Sequence, residues 1–234
     1  MLEANGRVVM VSGANRGIGR AIAECLAAKG YLLSLGARRP DSLAGLEGER
    51  VVAHGYDAVH LASAEDWVAD TLARFGRIDG LVNNAGILLD ARLEDGDEAA
   101  FDRLWQVNVK GPLRLTRLAM PHLKASGAGR VVNVVSLSGK RTKGDNAGYA
   151  MSKFAAMALT HATRRAGWEQ GVRACALCPS FVATDMTAWA RDTVPGDEMI
   201  QPADLAELVA TVIALPNTAS IAELLVNCRF EDMV

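Results

Sequence analysis

Tyr149 and Lys153 stand four residues apart, and Ser136 lies thirteen residues before Tyr149, just after the apolar run 131–135. Four residues make about one helical turn, so Tyr149 and Lys153 are predicted to project from one helix face. An ammonium group beside a phenol stabilises the phenolate and lowers the tyrosine pKa from about 10. The pair could therefore exchange a proton near neutral pH, and the serine hydroxyl could hydrogen-bond the same reacting oxygen. Taken alone, the pattern also fits an ordinary amphipathic helix.

A glycine-rich turn near the N-terminus is a candidate binding site for a cofactor. The apolar run 7–11 leads into Ser12–Gly19, and a stretch of good helix formers follows. Strand, glycine turn and helix together are the context in which a helix N-terminus binds a dinucleotide pyrophosphate. Gly13 would permit the tight turn, Gly17 would let the backbone approach the phosphates, and Gly19 would let the helix pack on the strand.

The turn Ser12–Gly19 resembles the TGxxxGIG turn of the short-chain dehydrogenase/reductase family. Further motifs of that family follow in its order, and the resemblance extends from about residue 5 to at least residue 225. These motifs are Asn83–Gly86, the helix asparagine Asn108, the set Ser136, Tyr149 and Lys153, and the stretch Cys178–Met186.

The chain alternates between predicted strands and helices, which favours a parallel sheet covered on both faces. Strands are predicted near 7–12, 31–36, 50–54, 79–83, 130–136, 172–178 and 221–227, and helices near 17–29, 64–75, 98–124, 148–169 and 203–214. The resemblance implies an α/β fold, a single Rossmann-type doubly wound domain over residues 1–234. It further implies a mostly parallel seven-stranded sheet in the order 3-2-1-4-5-6-7. Pro112 and Pro121 are expected to bend or end parts of the third helix.

The resemblance also implies a catalytic set: Ser136, Tyr149, Lys153 and Asn108. Tyr149 would give a proton to a carbonyl oxygen as hydride reaches the carbon from a nicotinamide, and Ser136 would hydrogen-bond that oxygen. Lys153 would keep the tyrosine pKa low and bind the ribose, and Asn108 would hold a water that links Lys153 to solvent. The predicted activity interconverts a carbonyl and a secondary alcohol. The alternative is a non-catalytic NADP-binding sensor or interaction protein on the same fold.

The second predicted strand indicates which nicotinamide cofactor is preferred. A site for NAD places a carboxylate at the end of this strand to bind the ribose 2′-hydroxyl, and Ala37 occupies that position here. Arg38 and Arg16 could instead bind a 2′-phosphate through charge-assisted hydrogen bonds. We therefore expect NADP(H) to be preferred over NAD(H), although Arg38 and Arg39 could also be solvated loop charges.

The full set of expected cofactor contacts combines the glycine turn, the two arginines and the family motifs. It comprises Gly13, Asn15, Arg16, Gly17, Ile18, Gly19, Arg38, Asp57, Ala58, Asn83, Ala85, Gly86, Tyr149, Lys153, Pro179, Phe181, Val182 and Thr184. By resemblance, Asp57 accepts from the adenine amino group. Asn83 either lies near the cofactor riboses or ties strands together, and Ser180 departs from the glycine that the family often has there.

The substrate side is expected to be mostly apolar, which favours a small-molecule carbonyl or alcohol with an apolar body. Ser138, Met186 and Trp189 are the predicted substrate contacts. Ser138 would face the same side as Ser136 if the chain were extended. The irregular segment Thr187–Gln201 is either a lid over the substrate or a surface loop.

Composition argues against several other classes of protein. The net charge is −2 over 234 residues, and no basic stretch is interleaved with aromatic residues as on a nucleic-acid surface. No run approaches the roughly 18 apolar residues of a membrane span, and no targeting peptide is recognised, so a cytoplasmic location is expected. Cys175 and Cys178 should lie on opposite faces of a strand, and no metal site is predicted.

Self-association is expected from the resemblance, through the helices near 98–124 and 148–169. The expected assembly is a homodimer or a homotetramer.

Overall fold

The computed structural model describes residues 1–46, 48–94 and 97–230. Within them, seven strands form one sheet in the order β3-β2-β1-β4-β5-β6-β7, and every neighbouring pair is parallel. The predicted doubly wound sheet and its strand order are thus confirmed. The strands are β1 Val8–Ser12, β2 Leu32–Ala37, β3 Val51–Gly55, β4 Gly80–Asn83, β5 Arg130–Val134, β6 Arg173–Pro179 and β7 Glu223–Val226. The helices are α1 Gly17–Ala28, α2 Leu61–Phe75, α3 Glu98–Trp105, α4 Gly111–Ala125, α5 Ala147–Gly167 and α6 Pro202–Ala214.

The central strands are apolar on both sides because helices cover both faces of the sheet. Val9 and Val11 of β1 pack with residues of α1 and α6 on one face. Met10, between them, points to the other face and packs with residues of α2 and α4. All five residues of β1 are buried, so the glycine turn that follows it starts from a fully packed strand.

The third predicted helix, near 98–124, is confirmed as a helical run from Glu98 to Ala125 that contains one irregular turn. A π-helical turn, Gln106–Lys110, separates α3 from α4. Pro112 lies in the first turn of α4, where its missing N–H is not needed, whereas Pro121 lies inside α4 without ending it. π-turns inside helices often mark functional positions, and this one contains Asn108.

The two central cysteines lie on opposite faces of β6, as predicted. Cys175 packs with the α1 and α6 side, and Cys178 with Val135 and Met157 of the α5 side. Both thiols are free and buried, and burial raises their pKa values. Among the described residues there is no cluster of side chains suited to a metal ion. None of the described helices has the length and apolar character needed to cross a membrane.

Candidate active site

The candidate site lies where four loops meet at one edge of the sheet. β1, β4, β5 and β6 are consecutive neighbours and run parallel, so the residues that follow them share the carboxyl edge. Strand order reverses between β1 and β4, which is where open α/β sheets form their binding crevice. The four loops border a cleft of about 560 Å³.

Most of the residues predicted from sequence line this cleft. They are Gly13, Asn15, Arg16, Gly17, Ile18, Arg38, Asp57, Ala58, Ala85, Gly86, Ser136, Tyr149, Lys153, Pro179, Val182, Thr184 and Met186. The lining does not include Gly19, Asn83, Asn108, Ser138, Phe181 and Trp189.

The glycine turn is shaped to receive an anion. Gly13 and Gly17 have φ values of 66° and 53°, a backbone conformation that residues with a Cβ rarely adopt. Gly19 backs the turn: a Cβ there would overlap the Gly13 carbonyl oxygen and the Asn84 amide. Helix α1 then begins without a side-chain cap and without an acidic residue in its first turn. Its unpaired N–H groups are therefore available to a phosphate, and this part of the cleft fits a dinucleotide.

The three residues of the predicted catalytic set come together at the other end of the cleft. Tyr149 and Lys153 lie in the first two turns of α5, and Ser136 follows β5 and hydrogen-bonds the phenol. The Lys153 Nζ lies 5.6 Å from the centre of the Tyr149 ring and donates to the carbonyl of Val134 at 3.0 Å. The backbone N–H of Ser138 donates to the Ser136 Oγ at 3.1 Å, which orients that hydroxyl.

The pKa values of this group differ from the expectation that Lys153 lowers the pKa of Tyr149. Burial raises the pKa of Tyr149 to about 12, because the phenolate loses its water, and the Ser136 hydrogen bond opposes that rise. Burial also lowers the pKa of Lys153 to about 8. The lysine charge is itself costly in this setting, and Lys153 is not among the groups that shift the tyrosine.

Asn108 lies behind the cleft and holds backbone in place. Its Oδ1 accepts from the N–H of Ile87, and its Nδ2 donates to the carbonyl of Ile87, both at 2.9 Å. Nδ2 also donates to the Ser152 Oγ at 3.0 Å. Asn108 thus connects the loop after β4 to α5, next to Lys153. A Cβ on Gly86 would come within 3.3 Å of the Asn108 Oδ1, so glycine keeps this approach open.

The opposite end of the cleft is exposed and basic. Ala37, Arg38 and Arg39 all line it, and both arginine side chains are exposed. Arg16 also lines the cleft and forms an exposed ion pair with Asp185 at 3.4 Å. Asp57 borders the same end, where its Oδ1 accepts from the N–H of Val59 at 3.2 Å.

Asn83 was expected either to lie near the cofactor riboses or to tie strands together, and its contacts in the structure are of the second kind. Its Nδ2 donates to Asn133 Oδ1 of β5 at 2.7 Å and to Thr116 Oγ1 of α4 at 3.0 Å. Its neighbour Asn84, absent from the predicted set, lines the cleft and donates to the carbonyls of Ser12 and Gly13. Strand alternation explains the difference, because side chains at 83 and 84 point to different sides.

The three other residues outside the lining have local explanations. Ser138 lies in the 3₁₀ turn Leu137–Gly139, so it does not share a side with Ser136 as it would in an extended chain. Phe181 turns away from the cleft, packs against Ala190, Val194 and Met199, and meets the Trp189 ring edge-on at 6.2 Å. Trp189 itself is 67% exposed on the short helix Asp185–Ala190.

Several lining residues were not in the predicted set, which combined motif matches with the arginine argument. Besides Asn84, they are Ala37, Arg39, Tyr56, Arg103, Val107, Val134, Val135, Ser180, Ala183, Asp185 and Thr187. Most of them are immediate neighbours of motif residues, so proximity in sequence is the signal that could have found them. Arg103 lies on α3 and is not adjacent in sequence to any motif residue, so nothing in the sequence marked it as part of the cleft.

Comparison with known proteins agrees with this geometry. The family model for short chain dehydrogenases matches residues 7–195, so the chain belongs to the short-chain dehydrogenase family of oxidoreductases. The chain is 45% identical over 230 residues to an agropine synthesis reductase of Rhizobium rhizogenes. That alignment covers 97% of this chain and 53% of the relative, so the chain spans about half of the relative's length.

Two solved structures have nearly the same fold. A 3-ketoacyl-(acyl-carrier-protein) reductase from Brucella melitensis complexed with NADH has a TM-score of 0.87, with 28% identity, 96% of this chain covered and 98% of the other. An alcohol dehydrogenase from the archaeon Thermococcus sibiricus complexed with 5-hydroxy-NADP has a TM-score of 0.84 and 31% identity. The match covers 94% of this chain and 95% of the other.

Proposed function

We propose that this protein is an NADP(H)-dependent oxidoreductase that interconverts a carbonyl and a secondary alcohol, with Tyr149 as the general acid and base. One observation carries the proposal. Ser136, Tyr149 and Lys153 border the same cleft as an uncapped helix N-terminus behind a glycine turn. A proton-transfer group and an anion cradle in one crevice are what hydride chemistry on a bound dinucleotide requires.

In the direction of reduction, Tyr149 donates a proton to the carbonyl oxygen of the substrate. A tyrosine whose pKa is raised to about 12 is neutral at physiological pH and carries the proton it must give. Ser136 donates a second hydrogen bond to the same oxygen as charge builds on it. The nicotinamide, when bound, supplies the hydride. The 45% identical relative is named as a reductase, which supports this direction.

Lys153 projects from the same face of α5 as Tyr149. Its Nζ donates to the Val134 carbonyl at the end of β5, so the lysine is already oriented toward the cleft wall. With a pKa of about 8 it can pass a proton toward Tyr149 after turnover and recover one near neutral pH. Asn108, buried and hydrogen-bonded to Ile87 and Ser152 beside Lys153, is assigned the role of holding a water that links Lys153 to solvent.

The preference for NADP(H) rests on the charge at the other end of the cleft. Arg38 makes no hydrogen bond or ion pair with any described residue, and its exposed side chain lines the cleft where Ala37 replaces a carboxylate. A guanidinium in this position bonds a 2′-phosphate through charge-assisted hydrogen bonds, which are stronger than a bond to a neutral 2′-hydroxyl. The related alcohol dehydrogenase from T. sibiricus binds 5-hydroxy-NADP, whereas the Brucella reductase binds NADH.

The substrate end is lined by apolar groups, which supports a carbonyl compound with an apolar body. Ile87, Val135 and Met186 border the cleft, and Met186 is 42% exposed at its rim. The segment from Thr187 onward is anchored by the buried residues Ala190, Val194 and Met199. It is assigned the role of a wall or lid over the substrate.

Self-association through α3 and α5 is part of the proposal. Trp105, Met151 and Phe154 on these helices are 43%, 54% and 44% exposed, an apolar surface that a second copy would cover. Light scattering of the purified protein will distinguish a homodimer from a homotetramer, and a monomer at micromolar concentration would contradict this part.

The decisive experiment measures NADPH oxidation at 340 nm across ketones, aldehydes and quinones, for the wild type and for Tyr149→Phe. The variant should lose turnover while its dissociation constant for NADPH stays within about threefold, because Phe keeps the ring and removes only the hydroxyl group that carries the proton. Near-normal turnover by Tyr149→Phe would refute the mechanism. Tight NADPH binding with no turnover on any substrate would favour a cofactor-binding sensor.

A further inference from the structure

The first turn of α5, which carries Tyr149, is held by a side chain outside the predicted catalytic set. Asn146 is the N-cap of this helix, and its Oδ1 accepts from the backbone N–H of Tyr149 at 3.2 Å. Its Nδ2 donates to the carbonyl of Leu89 at 2.7 Å. One amide therefore bonds both the catalytic residue's own backbone and the chain segment that follows β4.

That segment, residues 87–91, is fixed to α5 at further points. The N–H of Gly148 donates to the Ala91 carbonyl at 2.9 Å, and a Cβ on Gly148 would approach the Ala91 Cβ to 2.7 Å. At the other end of the segment, Asn108 holds the N–H and carbonyl of Ile87. Ile87 lines the cleft and packs in the same apolar cluster as Tyr149.

We infer that Asn146 is a positioning residue for the reaction, which fixes the Tyr149 hydroxyl relative to Ser136 and to the pocket wall at residues 87–91. The inference rests on the proposed function of Tyr149. The reason is geometric: proton transfer requires hydrogen-bond distance, and an uncapped helix frays first in the turn that contains Tyr149. Lys153 lies one turn deeper and is supported from Ser152 by Asn108, so cofactor contacts should survive the loss of the cap.

The chain contains a matched control. Asp97 caps α3 with the same geometry, its Oδ1 accepting from the N–H of Ala100 at 3.2 Å. Helix α3 packs against the same cluster through Ala100 and Leu104, and Asp97 does not line the cleft. Asp97→Ala should therefore lower the melting temperature by about 2–4 °C, and Asn146→Ala by at least as much, because it also loses the bond to Leu89.

The test compares kcat, KM and the NADPH dissociation constant for Asn146→Ala, Asn146→Ser and Asp97→Ala. We expect Asn146→Ala to lower kcat roughly tenfold to a hundredfold with NADPH affinity unchanged, and Asp97→Ala to leave kcat unchanged. Asn146→Ser keeps an acceptor for the Tyr149 N–H on a shorter side chain that cannot also replace the bond to Leu89. It should recover part of the lost kcat.

Three outcomes would overturn the inference. They are a normal kcat in Asn146→Ala, an equal loss of kcat in Asp97→Ala, and full recovery by Asn146→Ser, which would remove the role of Leu89. Tyr149→Phe, measured beside them, separates this failure from that of the proposed function. An inactive Tyr149→Phe with a fully active Asn146→Ala would overturn only the role of Asn146, whereas an active Tyr149→Phe would overturn the proposed mechanism itself.

Discussion

The two ends of the cleft differ in how far their charged groups are exposed to solvent. At the end near β2, Arg16 and Arg38 are exposed, and the Arg16–Asp185 pair has side chains that are 70% and 78% exposed. At the other end, Lys153 is only 8% exposed, and burial raises the pKa of Tyr149 and lowers that of Lys153. Charges at the first end are screened by water, whereas those at the second are set by the loss of water.

This difference predicts how each end responds to substitution. Exposed charges contribute little to the stability of the fold, so changes near β2 should alter cofactor affinity and leave the fold intact. Buried polar groups act as a unit, so changes near α5 should alter turnover and stability strongly.

After Tyr149→Phe, the largest effect is expected from Ser136→Ala. The hydroxyl hydrogen-bonds the phenol of Tyr149 and is the proposed second donor to the substrate oxygen, so kcat should fall by about 10²–10³. NADPH affinity should remain unchanged in fluorescence titrations. Ser138→Ala is the control, because Ser138 contacts Ser136 only through its backbone N–H and should lose little activity. Equal losses in both variants would contradict the assignment.

Lys153→Met should change how stability depends on pH. The folded-state pKa of Lys153 is about 8, below its unfolded value of 10.5. Between these values the unfolded chain binds more protons, so the stability of the wild type rises with pH. The stability of the wild type relative to Lys153→Met should therefore increase from pH 8 to pH 10.5, by about 3 kcal/mol at most. Urea denaturation of both proteins at a series of pH values measures this difference in unfolding free energy. A difference that stays constant or falls over this range would show that the lysine is not buried as a cation.

Arg38→Ala should weaken NADPH binding about tenfold to a hundredfold, the value of a charge-assisted hydrogen bond, and leave NADH binding unchanged. Arg74→Ala removes an exposed arginine on α2 that donates to the Glu49 carbonyl, and it controls for net charge. Isothermal titration of the wild type and the two variants with both cofactors gives the six dissociation constants. An equal loss for NADH would show that Arg38 does not read the 2′-phosphate.

The smallest effect is expected from Asp185→Asn. Asp185 pairs with Arg16 in the cleft lining, so its neutralisation should free Arg16 for a phosphate and tighten NADPH binding by no more than about fivefold. Asp192→Asn removes an exposed carboxylate from the same segment and should have no such effect. Weaker binding in Asp185→Asn would mean that the ion pair organises the site instead of competing with it.

Much of the site could be predicted because it depends on short spacings. The four-residue separation of Tyr149 and Lys153 places both on one face of any helix, and in the structure both line the cleft. Gly13 and Gly17 have positive φ values, which glycine adopts more easily than other residues. The sheet order followed from the family resemblance and is confirmed. Other details failed because they depend on local conformation, as with Ser138 in a 3₁₀ turn. The π-turn Gln106–Lys110 was likewise not predicted, although Pro112, which was expected to bend or end part of this helix, lies two residues after it.

The sequence by itself therefore determined which residues share a helical turn, a glycine turn or a strand end. It could do so because backbone sterics act over a few residues. The tertiary structure alone decided that Asn83 ties strands while Asn84 faces the cleft, and that the pKa of Tyr149 rises. It also brought Asn146 onto the Leu89 carbonyl, 57 residues away in sequence. Burial and hydrogen-bond partners are set by distant parts of the chain, and spacing along the sequence carries no measure of either.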